Sequence, residues 1–349
     1  MKVNKTELAK KLDKIKSVVP KNSPMPALMG VLVKDGYLIA SNTEMTIKAK
    51  LEGTEGEHFI ILARAFDLIK NLPDGELDIS EGKGNKITIT MEKIKNTYPS
   101  LQAEEYAYTA DRVLEGGGMM AIDCRVLKEA IAHVLYAIPS KSPNTVMTAL
   151  CMQAHEGKLN FVGLDGHVIA LTQTEFDGEF ELLIPRGAAE KLLSLEMSGN
   201  IYIEHNKNSA VFKADEYEIY TRLVEGEYFK YDRFFENYRD EISVRRSDLL
   251  EAVIRAKLCT EEMTPTKFEI EGDELRLSIK DKTADYAETV HLKTGIGEKM
   301  VIGFNSKLVL ETLKAHTDEE VLMRFSGSSA PMIVCSESLK SIVLPVKIR

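Results

Sequence analysis

The chain has 349 residues, 44% hydrophobic and 28% charged, with 45 Lys and Arg against 54 Asp and Glu for a formal net charge of −9. That length predicts two or three domains whose cores need neither disulfides nor metals, and the negative sum, taken whole, argues against a simple nucleic-acid binder. Cys124, Cys151, Cys259 and Cys335 lie far apart with no CxxC or Cys/His cluster, and MKVNKTELAKK lacks the apolar stretch of a signal peptide. Reduced thiols in a cytoplasmic protein are therefore expected, with no metal site, and no run approaches the ~18 apolar residues of a membrane span.

Residues 3–20 place Leu8, Leu12, Ile15 and Val19 at helical spacing, with Asn4 and Glu7 set as a capping box. VLVKDGYLIAS then carries Asp-Gly between two apolar runs, a hairpin signal. ILARAFDLIKNL (61–72) predicts a shorter helix and GELDIS (75–80) a strand. The series then begins again. Residues 122–139 carry Leu127, Ile131, Val134 and Ile138 behind Asp123 as N-cap. CMQAHEGKLNFVGL reads as a hairpin, LIPRGAAEKLLSL (183–195) as a helix and NIYIEH (200–205) as a strand.

In a third series, helix 243–260 has Leu250, Val253, Ile254 and Leu258 as its apolar stripe. FEIEGDELRLSI reads as a hairpin about Gly-Asp, IGFNSKLVLETLKAH (302–316) as a helix and EVLMRF (320–325) as a strand. The three leading helices begin at residues 3, 122 and 243, which are 119 and 121 residues apart. Solenoid repeats are much shorter, so the pattern fits an α+β domain with antiparallel sheet, repeated three times. Boundaries near Gly116-Gly117-Gly118 and near Tyr238–Glu241 give domains 1–117, 118–240 and 241–349.

The helices carry cations away from their apolar stripes: Lys10 and Lys14, then Arg125 and Lys128, then Arg255 with Arg246 at the helix entrance. The shorter helices add Arg64 and Lys70, Arg186 and Lys191, and Lys307 and Lys314, while acidic runs such as TEFDGEFE, ADEYE and IEGDE fall on strands and turns. Six helices offering basic faces suit a surface that meets phosphates without reading bases. His58, His133, His155, His205, His291 and His316 are scattered, and no GxSxG, P-loop, HExxH or Rossmann pattern occurs. Asp165-Gly166-His167 reads as a turn rather than an acid–base pair, so neither catalysis nor a cofactor is expected.

NTEMTI (42–47), LPDGELDI (72–79), GLDGHVIAL (163–171), TRLVEGEYFKYDRF (221–234), IGFNSKLVLETL (302–313) and the tail IVLPVKIR (342–349) occur in the order and spacing of one family. Across essentially its whole length the chain resembles the bacterial DNA polymerase III β subunit, the sliding clamp. The resemblance implies three clamp domains with antiparallel sheets outside and two helices per domain facing a central channel. It implies a head-to-tail homodimeric ring around double-stranded DNA, bound without sequence preference, a processivity factor for a replicative polymerase. Lys141 matches a DNA-touching position, and Tyr98 and Leu258 are expected at the dimer interface.

The resemblance also implies a hydrophobic cleft between the second and third domains, where the polymerase, the clamp loader and other partners insert a short motif. Its walls would be Met147, Leu164, Gly166, His167, Val168 and Ile169, then Phe229, Arg233 and Phe234 from the connection. Met263, Asn305, Leu308, Ala330 and Pro331, with Leu344, Pro345, Val346 and Lys347 of the tail, would complete it. Phe229 stands where the family usually has proline, Val168 where an arginine is common, and LPVK where MPMR is typical. These departures leave open an alternative, a divergent adaptor that binds partner peptides without forming a ring.

Overall fold

The first repeat runs through β1 (Lys2–Asn4), α1 (Lys5–Ile15), β2 (Gly30–Lys34), β3 (Tyr37–Ser41), β4 (Met45–Lys50), β5 (His58–Leu62), α2 (Phe66–Asn71), β6 (Glu76–Gly82), β7 (Lys86–Met91) and β8 (Ile94–Pro99). The structure, a computed structural model, describes residues 1–108, 118–259, 264–280 and 285–348. The second repeat has the same order: β9 (Gly118–Asp123), α3 (Cys124–Val134), β10 (Ala149–His155), β11 (Lys158–Leu164), β12 (Val168–Glu175), β13 (Phe180–Pro185), α4 (Arg186–Ser194), β14 (Asn200–His205), β15 (Ser209–Lys213) and β16 (Tyr217–Arg222). The third is β17 (Asp240–Arg245), α5 (Arg246–Leu258), β18 (Thr266–Lys280), β19 (Asp285–Phe304), α6 (Ser306–Ala315), β20 (Glu320–Phe325), β21 (Met332–Cys335) and β22 (Leu339–Val343).

The chain forms two compact units, Met1–Lys128 with Glu190–Leu223, and Glu129–Ala189 with Val224–Arg349. In the first unit, one sheet has the order β1-β6-β7-β8 and the other β5-β2-β3-β4-β16-β15-β14-β9. The second unit holds a single ten-stranded sheet, β13-β10-β11-β12-β22-β21-β20-β17-β19-β18. All described pairings are antiparallel. The repeats join by one rule. The fourth strand of one repeat pairs with the last strand of the next, β4 with β16 (Ile47↔Ile219) and β12 with β22 (Ala170↔Ser341).

Local chemistry accounts for the helices. Asn4 Oδ1 accepts from the Glu7 N–H at 3.1 Å, capping α1, and Asp123 Oδ1 accepts from the Arg125 N–H at 2.8 Å. Leu8, Leu12 and Ile15 of α1, and Leu127, Ile131 and Val134 of α3, are buried as their spacing predicts. The stripe of α5 is corrected. Its core face is Leu249, Ala252, Val253 and Ala256, whereas Ile254 and Leu258 are exposed. Alanines hold the inward positions, which lets the larger apolar residues fall outside. The segment 61–72 also divides, with Ile61 and Leu62 in β5, a 3₁₀ turn at Ala63–Ala65, and then α2.

The expected Gly-Asp hairpin is not a turn. Residues 268–279 run within the single strand β18, which pairs with β19 from Thr266↔Phe304 to Lys280↔Asp285 with register shifts at Gly272. Gly272 has φ +58, and a Cβ on Gly295 would lie 1.6 Å from the Gly272 carbonyl oxygen. The two glycines let the backbones close on a bulge, and the hairpin bends instead of ending. Among the described residues, no helix is long and apolar enough to cross a membrane.

Candidate partner-binding groove

The groove lies in the second unit, and tyrosines build one side of it. After β16 the chain returns to the second repeat's strands, with Gly226 (φ +139) close enough that a Cβ would sit 2.5 Å from Val146 Cγ2. Buried Tyr228 donates to the Val162 carbonyl at 3.3 Å. Buried Tyr231 donates to Gln153 Oε1 at 2.7 Å and accepts from Asn160 Nδ2 at 3.0 Å. With these rings pinned, Phe229 and Phe234 are left 38% and 44% exposed, and the Arg233 guanidinium stacks 5.2 Å from the Phe234 ring. Large apolar rings left at a surface mark a docking position.

The opposite side is made by the turn before β12 and the tail after β22. Asp165 Oδ1 accepts from the N–H groups of His167 and Val168, both at 2.8 Å, and Gly166 has φ +84. The turn expectation thus holds, and the turn is also a wall. The Leu344 N–H donates to the His167 carbonyl and the Val346 N–H to the Gly303 carbonyl, each at 2.9 Å. Gly303 is needed there, since a Cβ would lie 2.7 Å from both Val346 O and Ile348 Cγ1.

Two adjoining pockets result. An inner one of about 170 Å³ is lined by Met147, Leu164, Gly166, His167, Val168, Ile169, Phe229, Tyr231, Phe234, Ile342 and Leu344. An outer one of about 570 Å³ is lined by Tyr136, Ile138, Pro139, Asp165, Arg186, Thr264, Pro265, Asn305, Lys307, Leu308, Glu311 and Val346, and shares His167, Val168 and Leu344 with the first. Asn305 also caps α6, accepting from the Lys307 N–H at 2.9 Å. Arg233 lines neither pocket but covers Phe234, and Ala330, Pro331, Pro345 and Lys347 line neither. Met263 lies outside the described residues. The inner pocket is nearly free of polar atoms, whereas the outer one carries carboxylates and cations. An apolar socket beside a polar shelf suits one buried anchor side chain followed by a polar segment.

Sequence reasoning missed Tyr136, Ile138, Pro139, Tyr231 and Ile342 as groove walls, and read Ile138 only as part of a helix's apolar stripe. The alternation Tyr-Phe-Lys-Tyr at 228–231 was the available signal for the tyrosine pins.

The basic side chains have partners of their own. Lys10 and Lys14 reach Glu196 at 2.6 and 3.2 Å, Lys70 lies 3.8 Å from Asp13, and Lys314 lies 3.1 Å from Glu311. Arg255 pairs with Glu288 at 2.6 Å and Glu251 at 3.5 Å. Lys128 donates to the Leu195 carbonyl, Lys191 to that of Lys14 at 3.3 Å, and Arg64 to that of Pro99 at 3.3 Å. The Arg186 guanidinium donates to the Leu135 and Ile138 carbonyls, and Arg246 to those of Asp318 at 2.9 Å and Leu313 at 3.4 Å. These two arginines close helix ends, a role the sequence did not suggest. Arg125, Lys141 and Lys307 are exposed. Tyr98 is half-buried on the edge strand β8, and Leu258 is 83% exposed.

Family profiles match the chain in three consecutive parts. The N-terminal domain of the DNA polymerase III beta subunit matches residues 1–110, its central domain 121–230 and its C-terminal domain 234–347. The beta sliding clamp of Staphylococcus epidermidis is 25% identical over 362 aligned residues, covering 96% of this chain and 95% of that protein. The DNA polymerase III beta subunit of Thermotoga maritima has a TM-score of 0.90 at 24% identity, covering 100% of this chain and 99% of that one. The sliding clamp of Bartonella birtlesii, solved bound to griselimycin, has a TM-score of 0.92 at 21% identity, with coverage of 100% and 99%. Three repeats joined by one strand rule, and all three domains of one family matched in order, lead to the same conclusion: this chain belongs to the DNA polymerase III beta subunit family, the bacterial sliding clamps.

Proposed function

We propose that the protein encircles duplex DNA as a head-to-tail homodimeric ring, moves along it without reading sequence, and tethers a replicative polymerase, the clamp loader and other motif-bearing proteins through the groove. It acts by tethering, without a catalytic step, on DNA in the cytoplasm. The observation that carries the ring is the strand rule. β4 is covered by β16 and β12 by β22, which leaves the equivalent segment of β19 (residues 285–293) and the last strand of the first repeat, β8, without a counterpart among the described residues. Pairing β8 of one copy with that segment of another repeats the two internal junctions. Such a heterologous contact closes into a ring when its rotation closes.

Griselimycin on the Bartonella clamp supports ligand capture by this fold, and the apolar inner pocket supports the groove as its place here. The ring is tested by loading the protein on nicked circular DNA and then cutting the circle. Retention on circles and rapid loss from the linear product is expected. Equal retention on both, or a monomer in sedimentation at micromolar concentration, would favour the ring-free adaptor.

A further inference from the structure

His316 follows α6 and is fully buried behind the groove, touching neither pocket. Its Nδ1 is 2.9 Å from Ser336 Oγ and its Nε2 3.2 Å from Ser341 Oγ, and the Tyr136 hydroxyl donates to Ser341 Oγ at 2.9 Å. Hydrogen accounting orders these groups. With Tyr136 donating to Ser341, the arrangement in which every proton meets an acceptor sends the Ser341 proton to Nε2, the acceptor nitrogen. The ring N–H then sits on Nδ1 and donates to Ser336, whose hydroxyl faces the Leu339 carbonyl at 3.5 Å. In this arrangement the chain of bonds runs one way and a neutral imidazole satisfies it. An imidazolium would fill the second lone pair of Ser341 and turn the serine proton away from Nε2 to another acceptor.

The relay meets the groove at one end and runs through the strand that leads to its tail wall. Tyr136 lines the outer pocket, and Ser341 stands in β22, three residues before Leu344 and five before Val346. Three further groups face the ring: Asp318 after α6, which would favour the cation, and His133 of α3 and Arg246 of α5, which oppose it. Burial is the largest effect, His133 and Arg246 act with it and Asp318 against it, and the balance holds the imidazole neutral down to about 4. His133 Nδ1 and Asp318 Oδ2 are themselves buried without a hydrogen-bond partner among the described residues.

We propose that His316 is a positioning residue for the groove: its neutral imidazole orders Ser341 and Tyr136, fixes β22 and so holds the tail as a wall, and proton uptake releases that wall. The proposal rests on the groove being the partner site. The test is amide hydrogen exchange of Leu344 and Val346 in the full-length protein, as protection factors between pH 7.5 and 5, with and without griselimycin. An opened ring titrating near its ordinary value of 6.5 against about 4 when closed predicts protection falling roughly 30-fold across this range. His316→Gln, which cannot gain the proton, should abolish the acid limb. His167→Gln should retain it, which separates the groove's own histidine from the buried one.

Should His316→Gln fail to fold, Tyr136→Phe serves. Without the tyrosine donor, Ser341 can accept from an imidazolium, so the acid limb should move to higher pH. No acid limb in the wild type, a limb that persists in His316→Gln, one lost in His167→Gln, or one unmoved in Tyr136→Phe would each overturn the proposal. Griselimycin should raise protection of both amides. An intact, His316-dependent limb with no effect of griselimycin would leave the positioning role standing and overturn the partner-site reading.

Discussion

The groove and the basic helix faces treat water in opposite ways. The inner pocket is walled by Leu164, Val168, Ile169 and Ile342, and its polar neighbours, Tyr228 and Tyr231, are satisfied from behind. Affinity there comes from desolvating apolar surface on a rigid support. On the helices, Lys10, Lys14, Lys70, Arg255 and Lys314 already lean on carboxylates at the surface. Such exposed pairs are weak and exchange readily, so a phosphate can replace a carboxylate and leave again. In the function proposed above, one surface would hold a ligand still and the other would let one pass.

Variants can break this contrast at either end. Leu344 borders both pockets and is 37% exposed, so Leu344→Asp should fold yet place a carboxylate in the apolar socket. Griselimycin affinity, measured by calorimetry, should fall about 100-fold or more, since a desolvated unpaired charge costs several kcal/mol. Retention of rings already on circular DNA should be unchanged, and a parallel loss of both would erase the distinction between the surfaces.

Acid should act on the buried support and spare the helix faces. Above pH 6.5 the His316 ring is neutral folded or unfolded, so it contributes no pH dependence. As pH falls below 6.5 the unfolded chain gains a proton that the folded ring accepts only near 4. Stability should therefore be lost between these values, by up to about 3 kcal/mol, and burial lowers His133 and His205 in the same direction. Melting temperature against pH reads the effect, and His316→Gln should flatten part of the slope.

Tyr231→Phe removes the hydroxyl shared by Gln153 and Asn160 and should cost about 1–3 kcal/mol of stability. It should also loosen Phe229 and Phe234, weakening griselimycin by a smaller factor than Leu344→Asp. The mildest change is Glu196→Gln, which frees Lys10 and Lys14. Melting should hardly move, but retention on DNA should become more salt-sensitive, the log–log slope steepening by about one. An unchanged slope would remove these lysines from the DNA surface.

Large apolar residues at regular spacing made α1 and α3 legible, because Leu8, Leu12, Leu127 and Ile131 admit one buried face. The same rule misled at α5, where small Ala252 and Ala256 hold the core and Ile254 and Leu258 do not. Gly272-Asp273 looked like a turn because a turn and a bulge ask for the same glycine. Only the Gly295 backbone across the strand decides between them. Much of the groove entered through family resemblance. Tyr136, Ile138 and Ile342 carry no local mark of a binding role and become walls only when strands from two repeats meet.

The pairing of β12 with β22 also has a meaning in time. Hairpins such as β10 with β11 bring together residues a few positions apart, whereas Val168 waits for Val343. Contacts of such long range form late, after local hairpins. During synthesis the second repeat can fold while the edge of β12 is still bare, and the groove has no far wall until the segment reaching Ile348 has left the ribosome. On the function proposed above, a partner that docks in the groove would have nothing to grip on a chain still being made.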